Sequence, residues 1–265
     1  MRVLCTGGAG YVGSACLRYL LGEGHDVFAY DDLSEGNRLA VPEHEDRLLL
    51  GDIRDKDKLA RVLTERRIDV VMHFAAVASV PDSIRDPALY WDVNLVGTKS
   101  VLDAMRGAGV TKIVLSSTAA TYGFSEASSL TESSPQVPVT PYGTSKMACE
   151  ALLREYALAY GFGCASMRYF NASGADLDGA HGEDRRHESH LIPLVLAAAL
   201  GVRDEVLIFG DDWTTPDGTC VRDYVHVRDI AQAHALAMGA LTPGSAEAYN
   251  IGSGVGLSVR EIVAA

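Results

Sequence analysis

Three glycines at a fixed spacing, Gly7, Gly10 and Gly13, join a short apolar run to an amphipathic stretch in the opening MRVLCTGGAGYVGSACLRYLL. Residues 2–6 are apolar enough for a buried strand. Val12, Ala15, Cys16, Tyr19 and Leu20 then recur at helical spacing. A strand that passes into a helix so abruptly needs a tight turn free of Cβ atoms. That turn aims the helix N-terminus at its occupant, so it suits a phosphate. A second apolar run, residues 26–30, ends at Asp31. An acid about 20 residues past the glycines accepts both ribose hydroxyls of adenosine and repels a 2′-phosphate, which predicts NAD rather than NADP.

Alternation continues along the chain. Strands are predicted near Val3, Val27, Leu49, Val71, Val114 and Ser166, and helices near Leu17, Leu63, Val101, Leu152, Leu196 and Ala235. This order predicts an α/β fold, a Rossmann-type doubly wound parallel sheet with right-handed crossovers. The polar, glycine- and charge-rich residues 176–189 break the pattern and are predicted to enter a smaller C-terminal substrate-binding lobe. Residues 223–241 are predicted to be helical and to return to the main domain. The division expected is an NAD-binding domain of residues 1–171 and 222–250, with residues 172–221 and 251–265 in the lobe. A helix opens at Ser258 and has only Val259 to Ala265 before the last residue, with no glycine or proline to end it. The expectation is a C-terminally truncated chain with an incomplete lobe.

Tyr142 and Lys146 stand four apart in TPYGTSKMACEALLREY. Thr140 suits an N-cap and Pro141 the first helical turn. That places the phenol and the ammonium on one helix face. A free phenol has a pKa near 10, so a nearby cation is needed to favour phenolate. Lys146 and a positive nicotinamide ring are expected to supply it. Ser116, Ser117 and Thr118 gather at the carboxyl end of the preceding apolar run, the edge where ligands bind in open α/β sheets. A hydroxyl there can share a substrate proton with Tyr142. The pair beside a dinucleotide cradle points to redox chemistry at a hydroxyl or ketone.

Composition narrows the partners. The 265 residues can bury a sizeable core. With 23 basic and 35 acidic residues the net charge is −12, and no basic cluster marks a nucleic-acid surface. Cys5, Cys16, Cys149, Cys164 and Cys220 form no C-x-x-C pair and read as reduced thiols of a cytoplasmic protein. The longest apolar run, residues 191–200, contains Pro193 and is too short to span a bilayer, so no membrane partner is expected. His181, His187 and His190, with Asp184 and Glu188 nearby, match no standard zinc spacing. They read as a solvated loop, and no metal is expected.

The segments TGGAGYVGS, YDDLSEG, GDIRD, HFAA, SSTAATYG, PYGTSK, RYFNASGAD, HLIPLV, IFGDDWTTPDGTCVRDYVHV and YNIGSGVGLSV cover the whole chain. In them the chain resembles the extended short-chain dehydrogenase/reductase family. The last two segments look like its nucleotide-sugar epimerase branch. The resemblance implies NAD-dependent epimerisation at C4 of a UDP-hexose, UDP-glucose to UDP-galactose, through a 4-keto intermediate. Another UDP-sugar (a pentose, uronate or N-acetylhexosamine) and an inert nucleotide-binding protein stay open as alternatives. The resemblance also implies a homodimer in which residues 86–108 and 142–160 of each subunit form a four-helix bundle. Apolar Val93, Val101, Leu102, Met105, Leu152 and Ala157 are the expected contributors.

Site residues follow from the same resemblance. Tyr142, Lys146 and Thr118 are the implied catalytic groups. Implied cofactor contacts are Gly7, Gly10, Tyr11, Val12 and Gly13 at the first turn, with Asp31, Asp32, Leu33 and Ser34 at the second. Asp52, Ile53, Phe74, Ala75, Ala76, Asn94, Ser116 and Tyr169 join Tyr142 and Lys146 further along. Beside Thr118 and Tyr142, the implied substrate contacts are Phe170, Asn171, His190, Leu191, Phe209, Arg222 and Tyr224. Arg222 is the expected diphosphate anchor, since a guanidinium makes planar charge-assisted bonds to phosphate. Leu191 and Phe209 are expected to wall the uracil pocket. Two positions depart from the family pattern, which often has Lys at Ala78 and Gly at Pro81. Sugar-nucleotide 4,6-dehydratases of this fold follow the central Thr with Asp-Glu. Here Ala119 and Ala120 follow Thr118, and neither can move a proton.

Overall fold

A computed structural model describes residues 1–125, 129–176, 179–185 and 188–265. His187 lies outside the described residues. The first half of the chain runs β1 (Arg2–Thr6), α1 (Tyr11–Gly22), β2 (Asp26–Asp31), α2 (His44–Arg47), β3 (Leu48–Leu50), α3 (Lys56–Glu65) and β4 (Val70–His73). Two short helices, α4 (Val80–Arg85) and α5 (Pro87–Tyr90), lead through a π-helical turn (Trp91–Val96) into α6 (Gly97–Ala108). The second half runs β5 (Lys112–Thr118), α7 (Pro141–Tyr160), β6 (Gly163–Tyr169), β7 (Asn171–Ser173), α8 (Leu191–Ala199), β8 (Val221–His226), α9 (Val227–Ala240), β9 (Ala246–Ile251), β10 (Gly256–Ser258) and α10 (Val259–Ala264).

Seven strands form one parallel sheet in the order β3-β2-β1-β4-β5-β6-β9. The order reverses between β1 and β4, and a crevice at the carboxyl ends of such strands is where a dinucleotide binds. Helices cover both faces. Leu59 and Leu63 of α3, Val101, Leu102 and Met105 of α6, and Leu153 of α7 bury one side. Leu17 and Leu20 of α1 with Ile230 and Met238 of α9 bury the other. Each such side chain contributes about 1.5–3 kcal/mol, and the strands between them are apolar on both faces, as a doubly covered sheet requires. The Rossmann-type doubly wound class expected from the sequence is the observed one.

A second sheet of three strands, β10-β8-β7, carries the sugar-side candidates. Its β7–β8 pair is parallel and its β8–β10 pair antiparallel. This corrects one expectation. Residues 223–226 belong to strand β8, and the helix begins only at Val227. The partners of β8 lie about fifty residues before it and thirty after, so no local period announces them. The four expected bundle residues Val101, Leu102, Met105 and Ala157 are also corrected, because each is buried in this chain's own core.

Candidate active site

The glycine turn is built by close backbone approach. Gly7 has φ +68°, and a Cβ there would lie 2.4 Å from the Ala75 nitrogen. A Cβ on Gly13 would lie 2.2 Å from the Gly7 carbonyl oxygen. The N–H groups of Phe74 and Ala75 both donate to the Thr6 carbonyl, at 2.9 and 3.0 Å, which brings the HFAA segment against Gly7. Helix α1 starts at Gly10 with no side chain capping it, so its first-turn N–H groups face the crevice bare. Asp31 is buried beside them. Its carboxylate accepts from Ala9 N–H at 3.0 Å and Leu33 N–H at 2.8 Å. Burial raises its pKa, against the pull of those two bonds. Leu33 takes φ 60°, and Asp32 accepts from the amide and hydroxyl of Ser34, which fixes the second loop. An uncapped helix end in a cradle that a Cβ would fill, with an acid at its edge, fits an adenine dinucleotide with free ribose hydroxyls.

The remaining cofactor candidates divide. Val12 is half-buried in the first turn of α1 beside Tyr11, and Ala76 is half-buried after β4. Ile53 is buried against Gly97. Asp52 is engaged by Arg54, which also bridges to Asp92 at 2.5 Å, and Asp55 rather than Asp52 caps α3. Asn94, in the π-helical turn, holds Val77 from both sides. It accepts from Val77 N–H at 2.9 Å and donates to the Val77 carbonyl at 3.1 Å. Its amide also donates to Ser145 Oγ, which in turn donates to the Tyr142 carbonyl. Pro81 stands in the first turn of α4, a position that needs no N–H donor.

Helix α7 lies along β5. Thr140 caps it through Gly143 N–H at 3.2 Å. Gly143 packs so closely on Ala120 that a Cβ would come within 2.5 Å of its carbonyl oxygen. That contact places Tyr142 beside Thr118, whose side chain favours the phenolate and accepts from Ala120 N–H at 3.1 Å. One turn on, Lys146 Nζ donates to the Ser116 carbonyl at 3.0 Å. The Ser116 hydroxyl meets Tyr169 OH at 2.6 Å, and Thr118 is the register partner of Tyr169. Tyr142, Lys146, Thr118, Ser116 and Tyr169 thus form one buried polar group at the carboxyl edge of the sheet.

Burial dominates its electrostatics. Burial raises the Tyr142 phenol above its ordinary value, Tyr169 and Tyr90 add to that, and the Thr118 side chain and the Arg185 charge oppose it. Burial lowers the Lys146 pKa, with Cys149 and Glu150 opposing. Burial also pushes the Tyr169 phenol up to about 12.

On the sugar side, the small sheet sets Asn171 opposite Tyr224 and Arg222 opposite Leu257. Arg222 is exposed and donates to the Val221 carbonyl. It is not tied to Asp223, whose carboxylate instead accepts from Ser253 and Gly254. The Arg222 charge reaches the half-buried Tyr224 phenol and lowers it against burial. Phe170 is half-buried, and its amide donates to the Ile251 carbonyl at 3.2 Å. His190 pairs with Glu183 at 2.7 Å just before α8, whose first residue is Leu191. Phe209 is 86% exposed.

Sequence reasoning misread His181 and missed several supporting groups. His181 is not solvated. It is buried against Tyr11, with Nε2 at 3.2 Å from the Tyr11 carbonyl and 3.3 Å from Ser14 Oγ. Tyr11 OH donates to the Gly174 carbonyl, and Asn37 donates to Asp184, so this loop folds back on the glycine turn. His73 bridges Thr6 and Thr98 at 2.6 and 2.9 Å, and burial first, then Lys146, lowers its pKa to about 3. Tyr90 meets Tyr142 edge-on, with centroids 6.4 Å apart. Glu150 and Arg168 form a buried ion pair at 2.6 Å behind the reaction centre. Of these only Glu150 carried a sequence signal, four residues beyond Lys146 on the same helical stripe.

The profile of the NAD dependent epimerase/dehydratase family matches residues 3–252. A Corynebacterium glutamicum protein named UDP-glucose 4-epimerase is 47% identical over 263 residues, spanning 99% of this chain and 78% of that protein. The crystal structure of UDP-glucose 4-epimerase from Brucella ovis in complex with NAD matches with a TM-score of 0.94 at 44% identity, covering 99% of this chain and 81% of that one. UDP-glucose 4-epimerase from Bifidobacterium longum, in complex with NAD+ and UDP, matches with a TM-score of 0.93 at 37% identity, covering 98% and 81%. By sequence, by fold and by the residues gathered at the sheet edge, the chain belongs to the NAD dependent epimerase/dehydratase family.

Proposed function

We propose that the chain catalyses NAD-dependent epimerisation at C4 of a UDP-hexose, interconverting UDP-glucose and UDP-galactose. The observation that carries this reading is the cluster of Tyr142, Lys146, Ser116, Thr118 and Tyr169 at the carboxyl edge of the sheet that also bears the glycine turn. The relatives named UDP-glucose 4-epimerase, with their NAD and UDP complexes, support it.

Tyr142 takes the proton of the sugar 4-hydroxyl, and the Thr118 hydroxyl bridges the two. NAD, when bound, would supply reversible hydride transfer at C4 and a positive ring that favours phenolate. Tyr142 then gives the proton back, so the reaction is redox-neutral. Gly7, Gly10 and Gly13 hold the pyrophosphate, Asp31 the adenosine ribose and Lys146 the nicotinamide ribose. Arg222, Asn171 and Tyr224 hold the UDP end from the small sheet. A firm diphosphate with a loosely held hexose is what turning the sugar over requires. Ala119 and Ala120 leave no carboxylate for elimination, which favours epimerisation over dehydration.

Two further statements belong to this reading. Leu89, Trp91, Val96, Leu158 and Tyr160 are exposed on the two helical segments, and they support a homodimer built through α5–α6 and α7. Sedimentation at micromolar concentration should give twice the chain mass, and a monomer overturns that assembly. Free cysteines support a cytoplasmic setting, and no described helix is long and apolar enough to cross a membrane. The activity itself is tested by incubating the NAD-loaded protein with UDP-galactose. Formation of UDP-glucose is expected, and its absence from a folded, NAD-loaded protein overturns the reading.

A further inference from the structure

Tyr142, Lys146 and Glu150 follow one another at i, i+4 and i+8 on α7, so they form one stripe along β5. Each meets a different point of that strand. Tyr142 meets the Thr118 side chain, Lys146 the Ser116 carbonyl, and Glu150 the Ser117 hydroxyl, which donates to it at 2.5 Å. Side chains alternate across a strand, so Ser117 points away from Ser116 and Thr118. Glu150 therefore grips the one residue of the triplet that the reaction does not use.

The grip is doubled from the next strand. Arg168 is the register partner of Ser117, and its guanidinium donates to both Glu150 oxygens, at 2.6–3.2 Å. The Glu150 and Arg168 side chains are 1% and 5% exposed. Gln136 also donates to Glu150 at 3.0 Å, from the segment that leads into Thr140 at the start of α7. Arg168 goes on to Tyr122 OH at 2.8 Å, and Tyr122 to Asn250 of β9 at 2.7 Å. Two charges held in low dielectric with every contact satisfied resist displacement. Removing one partner strands the other.

We propose that Glu150, held by Arg168 and Ser117, is the positioning residue that fixes α7 against β5 and so sets the reach of Tyr142 to Thr118. It rests on the roles assigned above to Tyr142, Lys146 and Thr118. Glu150 is buried on Ser117, Gln136 and Arg168, so its loss acts on the chemical step and leaves substrate binding alone. A misplacement of about 1 Å in such a group can cost about 10²-fold in rate.

The test compares Ser117→Ala and Glu150→Gln with the unaltered, NAD-loaded chain acting on UDP-galactose. Ser117→Ala leaves the ion pair intact and should lower kcat about tenfold, with KM and NAD affinity within about twofold. Glu150→Gln should lower kcat about 10–100-fold with the same split. A second readout is the titration of Lys146, followed by the NMR shift of its ε-carbon, one of only five lysines in the chain. The charged or titratable neighbours acting on Lys146 are Cys149 and Glu150 of α7, and it acts on His73 of β4. Loss of the Glu150 anion should move the Lys146 midpoint to lower pH. Unchanged kcat in a folded Ser117→Ala protein overturns the proposal, as does a fall in kcat that tracks lost NAD binding. If Glu150→Gln does not fold, Ser117→Ala decides. If the unaltered chain shows no turnover, the functional reading fails, and an unmoved Lys146 midpoint in Glu150→Gln then separately overturns the positioning role.

Discussion

Around the glycine turn, Gly7, Gly13, Ala75 and Asp31 are locked to one another through backbone contacts that leave no space for a Cβ. Around the small sheet, Arg222 and Asn171 are exposed, and Phe209 stands nearly free. The two regions border the same catalytic group. One is shaped before any ligand arrives, and the other presents flexible, charged side chains. A resident cofactor is best served by the first kind of site and a sugar that must turn over by the second. The contrast predicts that the same kind of change has different consequences on the two sides.

The largest effect should come from the group between them. Tyr142→Phe keeps the ring packed on Tyr90 and removes the proton carrier, so turnover should fall about 10²–10⁴-fold. NAD affinity should stay within about twofold of the original, read by binding titration on the folded protein. Near-full turnover with NAD bound would mean that the base is elsewhere.

On the open side, Arg222→Ala removes a charge-assisted contact of about 1.5–3 kcal/mol. KM for the UDP-sugar should rise about 10–100-fold while NAD affinity holds. Equal losses of both would dissolve the contrast, because the small sheet would then be supporting the dinucleotide. On the shaped side, Asp31→Ala removes a ribose acceptor and a repulsive charge, so the preference for NAD over NADP should narrow about tenfold or more. Competitive binding of the two cofactors measures it, and an unchanged ratio would remove Asp31 from the site.

Smaller shifts come with pH. The Tyr142 phenol is raised by burial, and its base form grows as pH rises, so kcat should climb on the alkaline side of neutrality. Thr118→Ala removes a side chain that favours phenolate, so the climb should move to still higher pH. A pH–rate profile that stays in place would detach Thr118 from the phenol. Stability responds on the acid side, through two buried imidazoles. Burial lowers His73 to about 3 and His234 to about 4, so both fold neutral. Their contribution is complete above the unfolded value near 6.5 and is lost as pH falls toward 4. The melting temperature should drop across that interval, and a flat profile would place both rings in wetter surroundings.

The same contrast explains what was legible in the sequence. Gly7, Gly13, Asp31, Tyr142 and Lys146 were readable because their partners are local or their spacing is fixed by one helix. The Rossmann order followed from alternation alone. Residues 223–226 were misread because a strand's pairing is decided by segments far away. His181 was misread because its partners, Tyr11 and Ser14, lie about 170 residues earlier. Val101 and Met105 were assigned to a partner subunit because an apolar stripe does not say which surface it covers.

The π-helical turn at Trp91–Val96 carries a consequence of another kind. Such a turn is an α-helix holding one residue more than its pitch allows. It lets Asn94 face Val77 and Ser145 while Val101 and Leu102, about two turns on, still face the core. Deleting any one residue from this stretch would restore a regular helix and rotate everything after it by about 100°. Asn94 and the buried face of α6 could then no longer be satisfied together. The segment should refuse any change in its length.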